Sequence, residues 1–201
     1  MRLHWSPRSP FVRKVMVLAH ETGLVDRLET VRTVVAMSAT NVPLLADNPL
    51  GKIPTLVLDD GTCLYDSVVI CEYLDSLHNG PKLFPTDATR WVALRRHALG
   101  TGWLDLLILW RNSREQPVPP KTWIDGFVLK NDATLAALEA EAPALGDGPI
   151  TIGHVAIGCA LAYLNFRFAD MGWRNGRPAL SAWFDGFAAR PSMLATEAVD
   201  A

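Results

Sequence analysis

"IPTLVLDDGTCLYDS", residues 53–67, is the stretch on which the fold turns. Two short runs rich in β-formers flank Asp60-Gly61, a residue pair suited to a tight hairpin turn. Directly after them, "DSVVICEYLDSLHNG" at 66–80 switches to helical spacing, with Val69, Ile70, Tyr73, Leu74 and Leu77 on one face and Asp66 or Ser67 as the cap. A hairpin running into a helix is a ββα unit. Upstream stands its complement. Residues 3–5 read as a short strand, and "SPFVRKVMVLAHETGL" at 9–24 reads as a helix with Ser9 as N-cap, Pro10 at the first helical position and Gly23 at the end. "LETVRTVV" at 28–35 is a second strand by its β-branched residues. The order is βαβ, then ββα, joined by the turn-rich "ATNVPLLADNPLGK" at 39–52.

Beyond the Gly- and Pro-rich "HNGPKLFPTD" at 78–87 no strand is expected. Residues 88–113 form a long amphipathic helix with Gly100 and Gly102 as the place for a bend, and 118–142 form a second. "TIGHVAIGCALAYLNFRFADMGW" at 151–173 is apolar nearly all round and is expected to be the buried central helix. "PALSAWFDGFAARPSM" at 178–193 reads as one last amphipathic helix. The expected architecture is an α/β domain over 1–78, a linker over 79–88 and an all-α helical bundle over 89–201.

Bulk properties exclude several classes of function. Of 201 residues 49 % are hydrophobic, and the formal net charge of -2 comes from interspersed acids and bases, which argues against a nucleic-acid surface. The longest apolar stretch, near 155–164, is too short to span a bilayer, and Arg8, Arg13 and Lys14 interrupt any apolar N-terminal run, so a cytoplasmic protein is expected. Cys63, Cys71 and Cys159 show no CxxC spacing and are expected to be buried, inert thiols. The five histidines lack HxxxH or HExxH spacing, so no metal site is expected; Gly100-Thr101-Gly102 follows no strand, so neither is a dinucleotide site.

The strings "SPFVRKV", "NPLGKIPTL" and "LYDSVVICEYLD" resemble the N-terminal, thioredoxin-like domain of cytosolic-type glutathione S-transferases. "TIGHVAIGCALAYL" and "LSAWFDGFAARPSM" resemble their helical C-terminal domain, and the look is that of small bacterial members with a Ser-type active site. The resemblance spans nearly the whole chain, with the strings in the family's order. It implies glutathione as co-substrate, a small hydrophobic electrophile as the second, and conjugation of the two. It also implies a homodimer built through the helices that start near Ser67 and Thr89. A partner-binding module without catalysis, or a glutathione-dependent isomerase, dehalogenase or peroxidase, are the other functions this fold serves.

Each implied site residue has a plain structural reading beside it. Ser9 is a helix cap from the residues alone; by resemblance its hydroxyl stabilises the glutathione thiolate, since "SPF" stands where Cys-type members have "CPF". Arg13 and Lys14 add positive field there or are simply solvated. Ser6 is the rival, because in some Ser-type classes the active serine lies earlier in this loop. Pro54 enters a strand; by resemblance it is cis and lets the Ile53 backbone pair with glutathione, while Lys52 reaches the glycyl carboxylate. Asp66 and Ser67 are capping residues; by resemblance they hold the γ-glutamyl end. Trp103, Leu107, Trp110 and Arg111 lie at helical spacing and are candidates for the electrophile pocket, with packing between helices as the competing role. His154 stands three residues after Thr151, where a capping box has Glu or Gln and this family commonly has Asp, so His154→Asp is expected to raise the melting temperature.

Overall fold

The computed structural model describes residues 1–200. It divides into two compact units, one made of residues 1–90 with 191–200 and the other of residues 91–190. In the first unit, β1 (Arg2–Trp5) pairs parallel to β2 (Glu29–Arg32) and antiparallel to β3 (Thr55–Val57), which pairs antiparallel to β4 (Cys63–Leu64). The sheet order is β2-β1-β3-β4. The helix α1 (Pro10–Glu21) makes the parallel crossover from β1 to β2, as a parallel pair requires. The turn before β4 is closed by Gly61, with φ at 87°, a conformation glycine adopts without steric penalty. The expected βαβ and ββα units are both present.

The core of this unit is what the apolar spacing dictates. Val12, Val15, Leu18 and Ala19 on α1 and Ile70, Cys71 and Leu74 on α2 (Ser67–Ser76) are fully buried, as are Leu3 and Leu56, which face each other across β1 and β3. Lys14 belongs to this buried set with 0 % exposure, its ammonium 5.7 Å from the Phe11 ring centroid, so of the two readings offered for it the solvated one is not found. Cys63 is also a correction: it is partly exposed, whereas Cys71 and Cys159 are buried.

The second unit contains α3 (Arg90–Arg114) from residue 91 onward, α4 (Lys121–Leu145), α5 (Ile152–Arg167) and α6 (Pro178–Ala188). α5 is buried on every face from Ile152 to Leu164, the central helix expected from its all-round apolarity. α3 is one uninterrupted helix, and Gly100 serves contact with α5: a Cβ there would lie 2.7 Å from the backbone of Ala156.

The last expected helix is in fact two. Pro191 lacks the N–H that would continue the ladder and disfavours helical geometry at the residue before it, so α6 stops at Ala188 and α7 (Pro191–Ala195) starts afresh. α7 belongs to the first unit, where Arg13 donates to the Met193 carbonyl at 3.0 Å and Ser192 donates to Glu21.

The start of α5 changes the expectation for His154. The Thr151 backbone N–H donates to His154 Nδ1 at 2.9 Å, and Thr151 Oγ1 lies 2.8 Å from the same nitrogen. An Nδ1 that accepts fixes the neutral ring with its proton on Nε2, which donates to the Leu145 carbonyl. The ring is 5 % exposed and packs 6.3 Å from the Trp183 ring. Burial, with the Arg96 guanidinium adding repulsion, pushes its pKa down to about 4. Asp at this position keeps the cap but loses the Nε2 donor and the ring packing, so His154→Asp is now expected to lower stability.

Candidate functional site

The sheet register brings the expected site residues to one end of the first unit. His4 stands opposite Thr55, so one further step places Trp5 opposite Pro54. Leu56 stands opposite Leu64, so continuing that register places Pro54 opposite Asp66. Trp5 at the end of β1, Pro54 just before β3 and Asp66, the second residue after β4, therefore form a row across the sheet. α2 starts directly after this row, at Ser67, and the first turn of α1 packs through Val12 on Ile53, so the positive ends of both helix dipoles lie on this side. The peptide bonds Ile53-Pro54 and Tyr65-Asp66 in the row are both cis. Ile53 is buried against Val12 of α1 and Leu44, which holds the start of α1 beside the residue preceding Pro54.

Ser9 caps α1 in extended geometry (φ -82°, ψ 117°), its Oγ accepting the Val12 N–H at 3.2 Å. A hydroxyl has one proton and two lone pairs, so capping uses an acceptor and leaves the O–H free to donate. Ser9 is partly exposed, which leaves that proton within reach of a ligand. Ser6 differs. It is 8 % exposed, and its Oγ accepts from Arg32 at 2.7 Å and from the Arg8 N–H at 3.4 Å. Ser6 also lines a cavity of about 160 Å³ with Trp5, Arg13 and Ala195, a cavity that Ser9, Pro54 and Ser67 do not line. Arg13 lines that cavity and donates to the Met193 carbonyl at 3.0 Å.

Asp66 is exposed and caps α2, accepting the Val68 N–H at 2.9 Å, and Ser67, 2 % exposed, is the first helical residue. The choice between them as cap thus falls to Asp66. Lys52 is exposed directly before Ile53. Its carbonyl accepts from Asn48 at 3.1 Å and Thr55 at 2.8 Å, which fixes the backbone entering the row. Asn48, 1 % exposed, is the residue that sequence reasoning missed; its place in "NPLGK" was read only as turn.

The electrophile-pocket candidates lie in the helical unit. Trp103 is 3 % exposed and donates to Asn131 at 3.0 Å, and Leu107 is fully buried. Trp110, 3 % exposed, packs against Phe168 at 4.9 Å and Phe127 at 6.4 Å. These three are core residues of their unit, not walls of its cavity of about 390 Å³, which Leu109, Ser113, Trp123, Phe127 and Lys130 line. Arg111 keeps partial exposure and pairs with Glu115 at 2.8 Å, a bond that, against the cost of burial, raises its pKa further. Among the described residues no group of His, Cys, Asp and Glu stands where it could hold a metal ion, and no helix is long and apolar enough to cross a membrane.

Residues 8–77 match the family model "Glutathione S-transferase, N-terminal domain", and residues 121–186 match "Glutathione S-transferase, C-terminal domain". The uncharacterized GST-like protein YibF of Escherichia coli (strain K12) is 31 % identical over 98 % of both chains. The chain belongs to the glutathione S-transferase family. A glutathione transferase family member from Pseudomonas fluorescens Pf-5, solved with bound glutathione, superposes on this transferase-family chain with a TM-score of 0.94. It is 43 % identical, over 98 % of each chain. A structure of a family member from the same organism holds S-(propanoic acid)-glutathione; it is 42 % identical and has a TM-score of 0.89 over 99 % of this chain and all of that one. The family's fold, a small mixed-sheet domain followed by helices, is the one built here from caps, hairpin and register.

Proposed function

We propose that this chain binds glutathione at Ile53-Pro54 and Asp66-Ser67 of the row together with Ser9 at the start of α1, and ionises its thiol at Ser9. The sulfur then attacks an electrophilic carbon of a small second substrate. The observation that carries the reading is the free hydroxyl proton of Ser9, partly exposed at the start of α1, set against the buried Ser6 whose oxygen is occupied by Arg32. A thiol of ordinary pKa, about 8.5, is mostly protonated at neutral pH. A donated O–H and a helix N-terminus both favour the anion, and the thiolate is the nucleophile.

The row positions the rest of the tripeptide. The Ile53 backbone pairs with the cysteinyl amide. The start of α2 at Ser67 takes the γ-glutamyl carboxylate, and Asp66 takes its ammonium. Lys52 takes the glycyl carboxylate. In the bond-forming step the thiolate lone pair makes a carbon–sulfur bond. The electron pair leaves with the departing group, or on an unsaturated carbon is quenched by a proton. The conjugate held by the relative, a thioether, is the product type of such a step. Val69 on α2 and Trp91 and Val92 on α3 are apolar and exposed, which supports a homodimer through those helices. A cytoplasmic setting, with its glutathione, suits the reading.

The test is turnover with a chromogenic electrophile. Ser9→Ala abolishes most of it and Ser6→Ala does not; the reverse moves the thiolate contact to Ser6, and no effect from either overturns the chemistry. Tryptophan fluorescence, with Trp5 in the row, reads binding itself. No binding at millimolar glutathione favours the partner-binding module instead.

A further inference from the structure

Asn48 is buried, 1 % exposed, and its whole side chain serves the segment that leads into the row. Its Oδ1 accepts the Leu50 N–H at 3.0 Å. Its Nδ2 carries two protons and has two acceptors, the Lys52 carbonyl at 3.1 Å and Thr55 Oγ1 at 3.0 Å. Thr55, 0 % exposed, donates its own proton to the same Lys52 carbonyl at 2.8 Å. Thr55 stands in β3 opposite His4, so these bonds tie the Lys52 carbonyl to the frame of the sheet.

The direction of that carbonyl decides the direction of the next donor. The bond Lys52-Ile53 is trans, and in a planar trans peptide the C=O and the N–H point to opposite sides. With its carbonyl drawn in toward Asn48 and Thr55, the peptide turns the Ile53 N–H away from them. Among the described residues neither the N–H nor the C=O of Ile53 takes part in a hydrogen bond. Buried backbone donors are almost always paired, and Ile53 is only 7 % exposed, so its unspent N–H is a place for a ligand carbonyl. Ile53 also packs on Val12, whose own N–H is held by Ser9 Oγ. The donor at residue 53 and the hydroxyl at residue 9 are thus joined through one residue of α1.

We propose that Asn48 is a positioning residue for glutathione: with Thr55 it locks the peptide 52–53 so that the Ile53 N–H donates to the cysteinyl carbonyl. This rests on the glutathione reading above and adds the side chains that set its central contact. Only the α and β carbons separate that carbonyl from the sulfur, so a carbonyl held at Ile53 fixes where the sulfur meets Ser9.

Nitrogen-15 NMR and binding titrations test the role. In the wild type, glutathione is expected to move the Ile53 N–H resonance downfield and to slow its exchange with solvent. S-methylglutathione, which has no thiol to ionise, is expected to do the same, which separates this contact from the chemistry at Ser9. Asn48→Asp keeps the acceptor for Leu50 and sets a carboxylate oxygen against the Lys52 carbonyl, and Thr55→Val removes the hydroxyl. Each is expected to weaken binding of both ligands about tenfold and to erase the Ile53 response. In each, the thiol pKa of bound glutathione is expected to rise toward its free value. Thr55→Ser restores the hydroxyl, and with it wild-type affinity and the Ile53 response. If Asn48→Asp fails to fold, the pair Thr55→Val and Thr55→Ser decides. Failure of both ligands to bind the wild type overturns the glutathione reading and the proposal with it. Binding with an unmoved Ile53 N–H, wild-type affinity in Thr55→Val, or no recovery in Thr55→Ser overturns the positioning role alone.

Discussion

Two helix starts in this protein look alike in sequence and differ in what they leave free. At α1, Ser9 accepts one backbone N–H and keeps its proton available on a partly exposed surface. At α5, His154 accepts the Thr151 N–H on one nitrogen, donates to Leu145 from the other and is buried against Trp183. The first cap has an unused donor at the positive end of a helix, which is what an anion needs. The second has every polar atom spent inside the helical unit, which gives stability and no chemistry. Counting protons and lone pairs, rather than noting that a residue caps a helix, separates the two roles.

The widest gap between the two starts is expected in turnover. Ser9→Ala removes a donor aimed at developing or resident negative charge, a change worth roughly 100-fold in kcat. The same substitution costs only about 1 kcal/mol of helix capping, so melting temperature moves a few degrees while activity collapses. His154 is expected to behave the opposite way. Its pKa falls from about 6.5 unfolded to about 4 folded, so the unfolded chain binds the extra proton between those values. The contribution is therefore fully present above pH 6.5 and is lost as pH falls toward 4, on the order of 3 kcal/mol across that window. Chemical denaturation at several pH values reads it, and a flat profile through that window breaks the assignment of a neutral buried ring. His154→Asp is expected to cost about 2 kcal/mol, because the Nε2 donor to Leu145 and the ring contact with Trp183 are lost. Turnover per folded molecule stays unchanged, and a raised melting temperature contradicts the reading. The smallest effect belongs to Ser6→Ala, which leaves turnover within about twofold and costs about 1 kcal/mol through the lost Arg32 bond.

The features legible in the sequence are those whose cause is local. Asp60-Gly61 turns a hairpin by its own backbone preferences, Ser9-Pro10 starts a helix, and all-round apolarity from 152 to 164 buries α5. Those that depend on distant partners were not legible. Nothing beside Lys14 announces that it is buried within α1, and nothing near Trp103 announces Asn131, 28 positions on. The split of α6 from α7 was open to reading at Pro191, but the return of α7 to α1 rests on Arg13 and Met193, 180 positions apart. For the site, residue types at Ser9, Pro54, Asp66 and Ser67 carried the resemblance. The Arg32 contact that sets Ser6 apart from Ser9 arises only from the pairing of β1 with β2.

Ionisation of bound glutathione tests the central claim most directly. The ultraviolet absorbance of the thiolate, followed against pH in saturated complexes of the wild type and Ser9→Ala, gives the thiol pKa in each. The expected result is a pKa at least about one unit below the free value near 8.5 in the wild type. In Ser9→Ala it returns toward 8.5 while glutathione affinity changes only a few-fold. Identical thiol pKa values in the two proteins contradict Ser9 as the residue that holds the thiolate.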